Sequence, residues 1–329
     1  MSFQALIARE DRVSFEQLTD DDLPKNAVTV DVAYSSLNYK DALAVTRRGR
    51  IVRRFPMVLG IDLAGTVVAS DDPEFAPGDR VVGHGQGLGE NDWGGYTSRE
   101  RVHADAIVRL PAGISLEQSM QVGTAGFTAM LCVLALERNG VVPHDRQVVD
   151  NAREIVVTGA GGGVGSVAVM LLARRGYRVA AATGRPELEP YFRSLGATSI
   201  VSREELAQKG APMQTERWAG GIDTVGGTML SNVYAQTVYG GAIACCGMAG
   251  GHELGITVWP LILRNVSLLG VSSLKTPKPQ RIEAWSRLAA ETDFTQLASL
   301  SRTEPLSRIF ELSEEIMGGK VRGRIVIQP

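Results

Sequence analysis

Cysteine is scarce, with three in 329 residues. The odd count and the lack of framework spacing exclude a disulfide-stapled secreted scaffold. Cys132 falls in an apolar helical run. Cys245 and Cys246 fall in an apolar strand, where adjacent side chains point to opposite faces and rarely bridge. All three read as core packing, with a reactive thiol the alternative. No uninterrupted apolar run reaches the ~18 residues that suggest a membrane span. The first residues also lack the basic and then apolar layout of a signal peptide, so a cytoplasmic location is the default expectation. Neither charge sign dominates: 34 Lys and Arg face 36 Asp and Glu, for a formal net charge of −2. That balance gives no reason to expect nucleic acid or an acidic membrane as partner. Repeats and low-complexity tracts are absent, and the length suits two domains.

What the chain does have is a strand, a glycine turn and a helix in Glu154-Ile155-Val156-Val157-Thr158-Gly159-Ala160-Gly161-Gly162-Gly163-Val164-Gly165. Ile155 to Val157 suit a strand buried on both faces, and the apolar run to Leu172 continues to a helix stop at Gly176. Ala160, Gly162 and Gly165 take the three positions of a G-x-G-x-x-G turn. Small residues there allow the tight turn, the approach of backbone to a pyrophosphate, and the packing of helix on strand, while N–H groups at the helix start hold phosphate. The next strand, Tyr177 to Thr183, runs into Gly184 and Arg185 where an NAD site would carry an acid. An arginine attracts a 2′-phosphate, so the expected cofactor is NADPH, with Glu187 nearby as a counter-signal.

From Phe3 to Val122 short strands alternate with Gly, Pro and Asp. The clearest are Val28 to Val32, Gly65 to Val68, Arg80 to Val82 and Ile107 to Leu110, with a turn at Pro77-Gly78-Asp79. This reads as a largely antiparallel β domain. From Thr124 a helix over Ala125 to Leu136 opens an α/β alternation, with strands at Ile155, Val179, Ile200, Ile222, Ala242 and Val266 in a doubly wound parallel sheet. Gly240-Gly241 is placed ahead of the fifth strand and Gly247 after it, as a nearby dinucleotide or tight turns alone would require. Helices follow near Ile282 to Ala290 and Ile309 to Met317. A strand over Arg324 to Ile327 suggests a return to the first domain. Val141 to Arg153 reads as a long surface loop.

The motifs Ser35-Ser36-Leu37-Asn38-Tyr39-Lys40-Asp41, Gly60-Ile61-Asp62-Leu63-Ala64-Gly65, Asn91-Asp92-Trp93-Gly94-Gly95 and Gly123-Thr124-Ala125-Gly126-Phe127-Thr128-Ala129, ahead of the glycine turn, resemble the medium-chain dehydrogenase/reductase superfamily over essentially the whole chain. Within it they are similar to the acrylyl-CoA reductase branch of the quinone-oxidoreductase-like proteins. The resemblance implies a GroES-like catalytic domain (1–123 and 273–329), a Rossmann domain (124–272), a homodimer, NADPH, and reduction of acryloyl-CoA to propionyl-CoA. The zinc dehydrogenases of the superfamily take ligands from a cysteine and a G-H-E motif. The matching stretches here hold neither cysteine nor histidine, so a catalytic zinc of that type is not expected.

The enoyl thioester must then be polarised by hydrogen bonds as charge gathers on its oxygen. Tyr39 is the candidate to orient the nicotinamide ribose or donate a proton, supported by Asn38, Lys40 and Asp41. The plainer reading has Asn38 capping a short helix and Tyr39 packing at an edge. Thr124 reaches the nicotinamide or caps the helix after it. The resemblance places Gly161, Gly162, Gly163 and Val164 at the pyrophosphate, and Thr183, Gly184 and Arg185 at the 2′-phosphate. Arg203 is a second phosphate partner or an exposed helix-start arginine. Met248, Ile262 and Ser273 line the nicotinamide half; Asp62 and Trp93 read as structural. The run Arg47-Arg48-Gly49-Arg50-Ile51-Val52-Arg53-Arg54 either holds the phosphates of coenzyme A or is a solvated face. Two other functions share these features: a reductase of quinones or free enones, and a protein that binds NADPH without turnover.

Overall fold

The computed structural model describes residues 2–143 and 153–329. The polar stretch expected to loop from Val141 to Arg153 therefore lies mostly outside the described residues. The chain divides into two units, Met1–Phe127 with Ser273–Pro329, and Thr128–Ser272.

The first unit is β-rich. Its seven-stranded sheet runs in the order Ser301–Pro305, Arg324–Gln328, Val28–Leu37, Asp62–Ser70, Arg80–His84, Ile107–Arg109, and Arg99–Val102 also pairs with Val28–Leu37. All pairings are antiparallel except the one between Ser301–Pro305 and Arg324–Gln328. A smaller antiparallel sheet sets Ser2–Ala8 between Val13–Thr19 and Met57–Val58. Val28, Val30 and Val32 alternate into one core with Leu63, Val67, Val81 and Ile107. Removing each such side chain from water stabilises the fold by about 1.5–3 kcal/mol. The strand expected to end at Val32 continues to Leu37 because Arg324–Gln328 returns to pair with its far end, Ile325 opposite Leu37 and Ile327 opposite Ser35. Leu37, Ile325 and Ile327 then join a second core with Leu6, Met57, Tyr96 and the buried face of the helix Ile309–Met317.

In the second unit six parallel strands run in the order Ser199–Ser202, Val179–Thr183, Glu154–Thr158, Trp218–Asp223, Thr237–Cys245, Ser267–Gly270. In chain order that is 3-2-1-4-5-6, the doubly wound dinucleotide-binding arrangement. Gly240 and Gly241 lie inside the strand Thr237–Cys245 and not ahead of it. They accompany a register shift: Trp218 pairs with Thr237, but Gly220 pairs with Ala242. Cys246 falls just past that strand's end.

The helix expected from Ala125 spans Leu116–Arg138 and bends at Gly123, whose φ of 51° and ψ of −165° are not helical. Among the described residues it is the one helix long and apolar enough to cross a membrane. Its apolar window is 89% buried inside the protein, so it is a core helix.

Candidate active site

Where the strand Val28–Leu37 ends, Asn38 caps the helix Tyr39–Val45. Its backbone N–H donates to Asp41 Oδ2 at 2.9 Å. Beneath this turn lies a polar cluster that the sequence scatters over almost the full length of the chain. Ser36, Asn38, Asp41, Asp62 and Arg324 are all at most 8% exposed. Asp62 is its hub: Oδ2 accepts from Ser36 Oγ, from Asn38 Nδ2 at 2.9 Å and from Thr124 N at 2.9 Å, and Thr124 Oγ1 bonds Oδ1 at 2.5 Å. Arg324 donates to Ser36 Oγ at 2.9 Å, Asn38 Oδ1 at 3.1 Å and the Gln121 carbonyl at 3.0 Å. A Cβ on Gly123 would run into Arg324 Nη2 and lie 2.7 Å from Ser36 Oγ, so a glycine is what lets the backbone settle on the cluster. Asp62 and Asn38 thus act together. Both polar atoms of the Asn38 side chain are engaged, which makes it a positioning residue.

Burial, reinforced by the charge of Asp62, pushes Asp41 up to about 7 against three N–H groups that favour its carboxylate, including Ile61 N at 2.9 Å. Burial likewise pulls Arg324 down, while Asp62 and Asp41 hold it up. His84, opposite Asp62 in the sheet, is pulled down to about 4 chiefly by burial.

Tyr39 is 51% exposed, next to this buried cluster. Lys40 Nζ is held by Glu90 at 2.7 Å, half-buried, and so is tied back into the fold. Trp93 Nε1 donates to the Pro56 carbonyl at 3.3 Å, in keeping with a structural role. Within the arginine run, Arg47 donates to the backbone carbonyls of Glu10 and Asp11, and Arg48 pairs with Glu314 at 3.0 Å. Arg50, Arg53 and Arg54 are exposed. Ser273 is buried in the first unit.

In the second unit, Gly162 caps the helix Gly163–Arg174. A Cβ on Gly165 would meet the Gly159 carbonyl and lie 2.7 Å from Ala160 Cα, so helix and strand pack at glycine distance, as a dinucleotide turn requires. Arg185 Nη2 donates to the Gly161 carbonyl at 3.2 Å, and Arg203 packs over Gly184, where a Cβ would lie 2.7 Å from its Cζ. Thr183 Oγ1 accepts from Arg185 N at 3.0 Å. Two guanidinium groups and a threonine therefore gather at the edge of the glycine turn, the donor set a 2′-phosphate calls for. Met248 and Ile262 are exposed.

A zinc ion does not fit the first unit's cluster. The position of a ligating carboxylate is held by Asp62, already surrounded by four donors and by the charge of Arg324. Among the described residues no group of three His, Cys, Asp or Glu side chains could hold a metal.

Asp62 and Arg324 were the residues least legible as site components. Asp62 reads as structural, and Arg324 carries no local signal beyond an apolar strand that follows it.

Fold and site define a nucleotide-dependent reductase. Residues 24–112 match the alcohol dehydrogenase GroES-like domain family and residues 163–291 the zinc-binding dehydrogenase family. The chain belongs to the medium-chain dehydrogenase/reductase superfamily. It is 48% identical to the probable acrylyl-CoA reductase AcuI of Escherichia coli, over 96% of this chain and 95% of that protein. It is 46% identical to the acrylyl-CoA reductase AcuI of Ruegeria pomeroyi, over 99% and 98%. The crystal structure of the Salmonella enterica yhdH oxidoreductase in complex with NADP matches with a TM-score of 0.94 at 48% identity, covering 100% of both chains.

Proposed function

We propose that this protein is an NADPH-dependent acryloyl-CoA reductase that saturates the carbon–carbon double bond to give propionyl-CoA. The likeness to acrylyl-CoA reductases along nearly the whole chain carries the substrate assignment. NADPH supplies, when bound, the hydride for the β-carbon. Gly161, Gly162, Gly163 and Val164 hold its pyrophosphate, and Thr183, Gly184, Arg185 and Arg203 its 2′-phosphate. Thr124, Met248, Ile262 and Ser273 face the reactive half.

As charge gathers on the thioester oxygen, a donor must meet it, and a proton must reach the α-carbon. Tyr39 performs the donor role: its phenol O–H is a hydrogen-bond donor and its side chain is half exposed. Asn38 and Lys40 position it, the first through the Asp62 cluster and the second through Glu90. Arg50, Arg53 and Arg54 attract the phosphates of coenzyme A. The protein works in the cytoplasm as a homodimer. The exposed side chains of Val258, Trp259, Leu261, Ile262 and Leu263, just ahead of the sheet-edge strand Ser267–Gly270, support such an assembly.

The test is the rate of NADPH oxidation with acryloyl-CoA against a simple quinone and the free enone. A much higher kcat/KM for the thioester is expected. Comparable or higher rates with the quinone or enone would move the function to a quinone or enone reductase, and no turnover with any of them would leave an NADPH-binding protein.

A further inference from the structure

The strand Glu154–Thr158 delivers the chain into the glycine turn, and its last residue is tied sideways to the last residue of the neighbouring strand, Trp218–Asp223. Thr158 and Asp223 are both fully buried. Thr158 Oγ1 accepts the Thr224 N–H at 3.1 Å and donates its own proton to Asp223 Oδ1 at 2.7 Å, its sole acceptor among the described residues. Asp223 Oδ2 accepts the Gly226 N–H at 2.7 Å, just ahead of the helix Gly227–Ala235. Both carboxyl oxygens are therefore acceptors, which only a carboxylate provides. Thr224 completes the clasp. Its hydroxyl donates to the Thr158 carbonyl at 2.9 Å and fills the space where a Cβ on Gly159 would lie. Gly159 has a φ of 61°, and its carbonyl accepts the Gly162 N–H at 2.9 Å. The turn thus leaves the sheet along a path held by side chains outside it.

We propose that Thr158 and Asp223 are positioning residues for the pyrophosphate: the hydrogen bond between them fixes where the backbone of Gly159 to Gly163 stands. The inference rests on the NADPH reading above and concerns the second unit alone. Being fully buried, neither side chain touches the cofactor. A glycine turn holds phosphate with main-chain N–H groups, yet glycine is the residue least able to hold a backbone in one shape. The shape has to come from neighbours, and the clasp supplies it. Valine at 158 keeps the strand and leaves the Thr224 N–H and Asp223 Oδ1 without their partner. Asparagine at 223 must turn its NH2 toward either the Thr158 hydroxyl or the Gly226 N–H, so one contact is lost. The arginines assigned to the 2′-phosphate follow other strands, Val179–Thr183 and Ser199–Ser202, and Arg185 meets the turn through the Gly161 carbonyl.

The experiment titrates the full chain by calorimetry with three ligands. They are NADPH, 2′-phospho-ADP-ribose, which keeps the pyrophosphate and lacks the nicotinamide, and adenosine 2′-monophosphate, which keeps only the 2′-phosphate. Thr158→Val is expected to weaken the first two about 10-fold each and to leave the third within about 2-fold of wild type. Thr158→Ser, which retains the hydroxyl, is expected to restore both to within about 3-fold. Asp223→Asn reproduces the loss, and combining it with Thr158→Val adds little, because both break the same contact. Arg185→Ala is the contrast and weakens all three ligands. Either single variant decides alone if the other does not fold. Unchanged binding of 2′-phospho-ADP-ribose by a folded Thr158→Val or Asp223→Asn variant, or an equal loss for adenosine 2′-monophosphate, overturns the proposal. Wild type that binds none of the three ligands would sink the cofactor reading itself.

Discussion

The indole N–H of Trp285 donates to His84 Nε2 at 2.8 Å, which fixes the histidine as the tautomer protonated on Nδ1. Phe127 closes over the ring at 3.9 Å between centroids, and Nδ1 has no hydrogen-bond partner among the described residues. This buried imidazole and the buried Asp41 oppose one another as pH changes. His84 is pulled down to about 4, so the unfolded chain binds the extra proton, and stability from this group is full above about 6.5 and lost as pH falls toward 4. Asp41 is pushed up to about 7, so the folded chain binds the extra proton, and its contribution is full below about 3.8 and lost as pH rises through 7. Relative to wild type, His84→Gln should gain about 3 kcal/mol on going from pH 6.5 to 4, and Asp41→Asn should gain about 4 kcal/mol on going from pH 4 to 7. Denaturant unfolding across that range measures both. Parallel curves for either variant and wild type would remove that group from the account.

Gly123 and Gly78 both have positive φ, but only the first backs onto the polar cluster. Gly123→Ala should cost about 3–5 kcal/mol, because the added carbon displaces Arg324 and Ser36 as well as straining the backbone. Gly78→Ala, where a Cβ meets nothing within 4 Å, should cost about 1 kcal/mol. Equal losses would show that φ alone governs both sites.

Arg185→Ala should weaken NADPH roughly 10- to 100-fold and NADH little, if the proposed role of this guanidinium at the 2′-phosphate holds. Arg203→Ala should act in the same direction and less strongly. Dissociation constants for the two cofactors decide it, and equal losses would remove both arginines from that role.

Replacing Arg50, Arg53 and Arg54 together by Ala should raise KM for acryloyl-CoA about 10-fold while sparing a pantetheine thioester without the nucleotide phosphates. Arg48→Ala, which removes the partner of Glu314, should leave both values near wild type. An unchanged KM in the triple variant would identify the run as a solvated face.

The nucleotide turn was legible because its parts are consecutive: strand, glycines, helix and the arginine after the next strand fall within about 30 residues, as the βαβ unit requires. The β-rich unit was readable as strands but not as a site. Ser36 and Asn38 sit in a recognisable motif, yet their partners Asp62 and Arg324 arrive through pairing between strands far apart in sequence, which local periodicity does not encode. The extension of the strand Val28–Leu37 was hidden for the same reason, since its second half is stabilised by the returning strand. Gly240 and Gly241 resembled a turn because glycine marks both turns and irregular strand pairing.

The return of the strand Arg324–Gln328 has a consequence in time. Arg324 and Asn38 are separated by 286 positions. During synthesis the parallel sheet of the second unit is fully translated before this strand, whereas Asp41 and Asp62 emerge early and wait for their guanidinium. Until Arg324 leaves the ribosome, two carboxylates must stay hydrated, so the first unit cannot close its polar interior and remains the late-maturing half of the nascent protein.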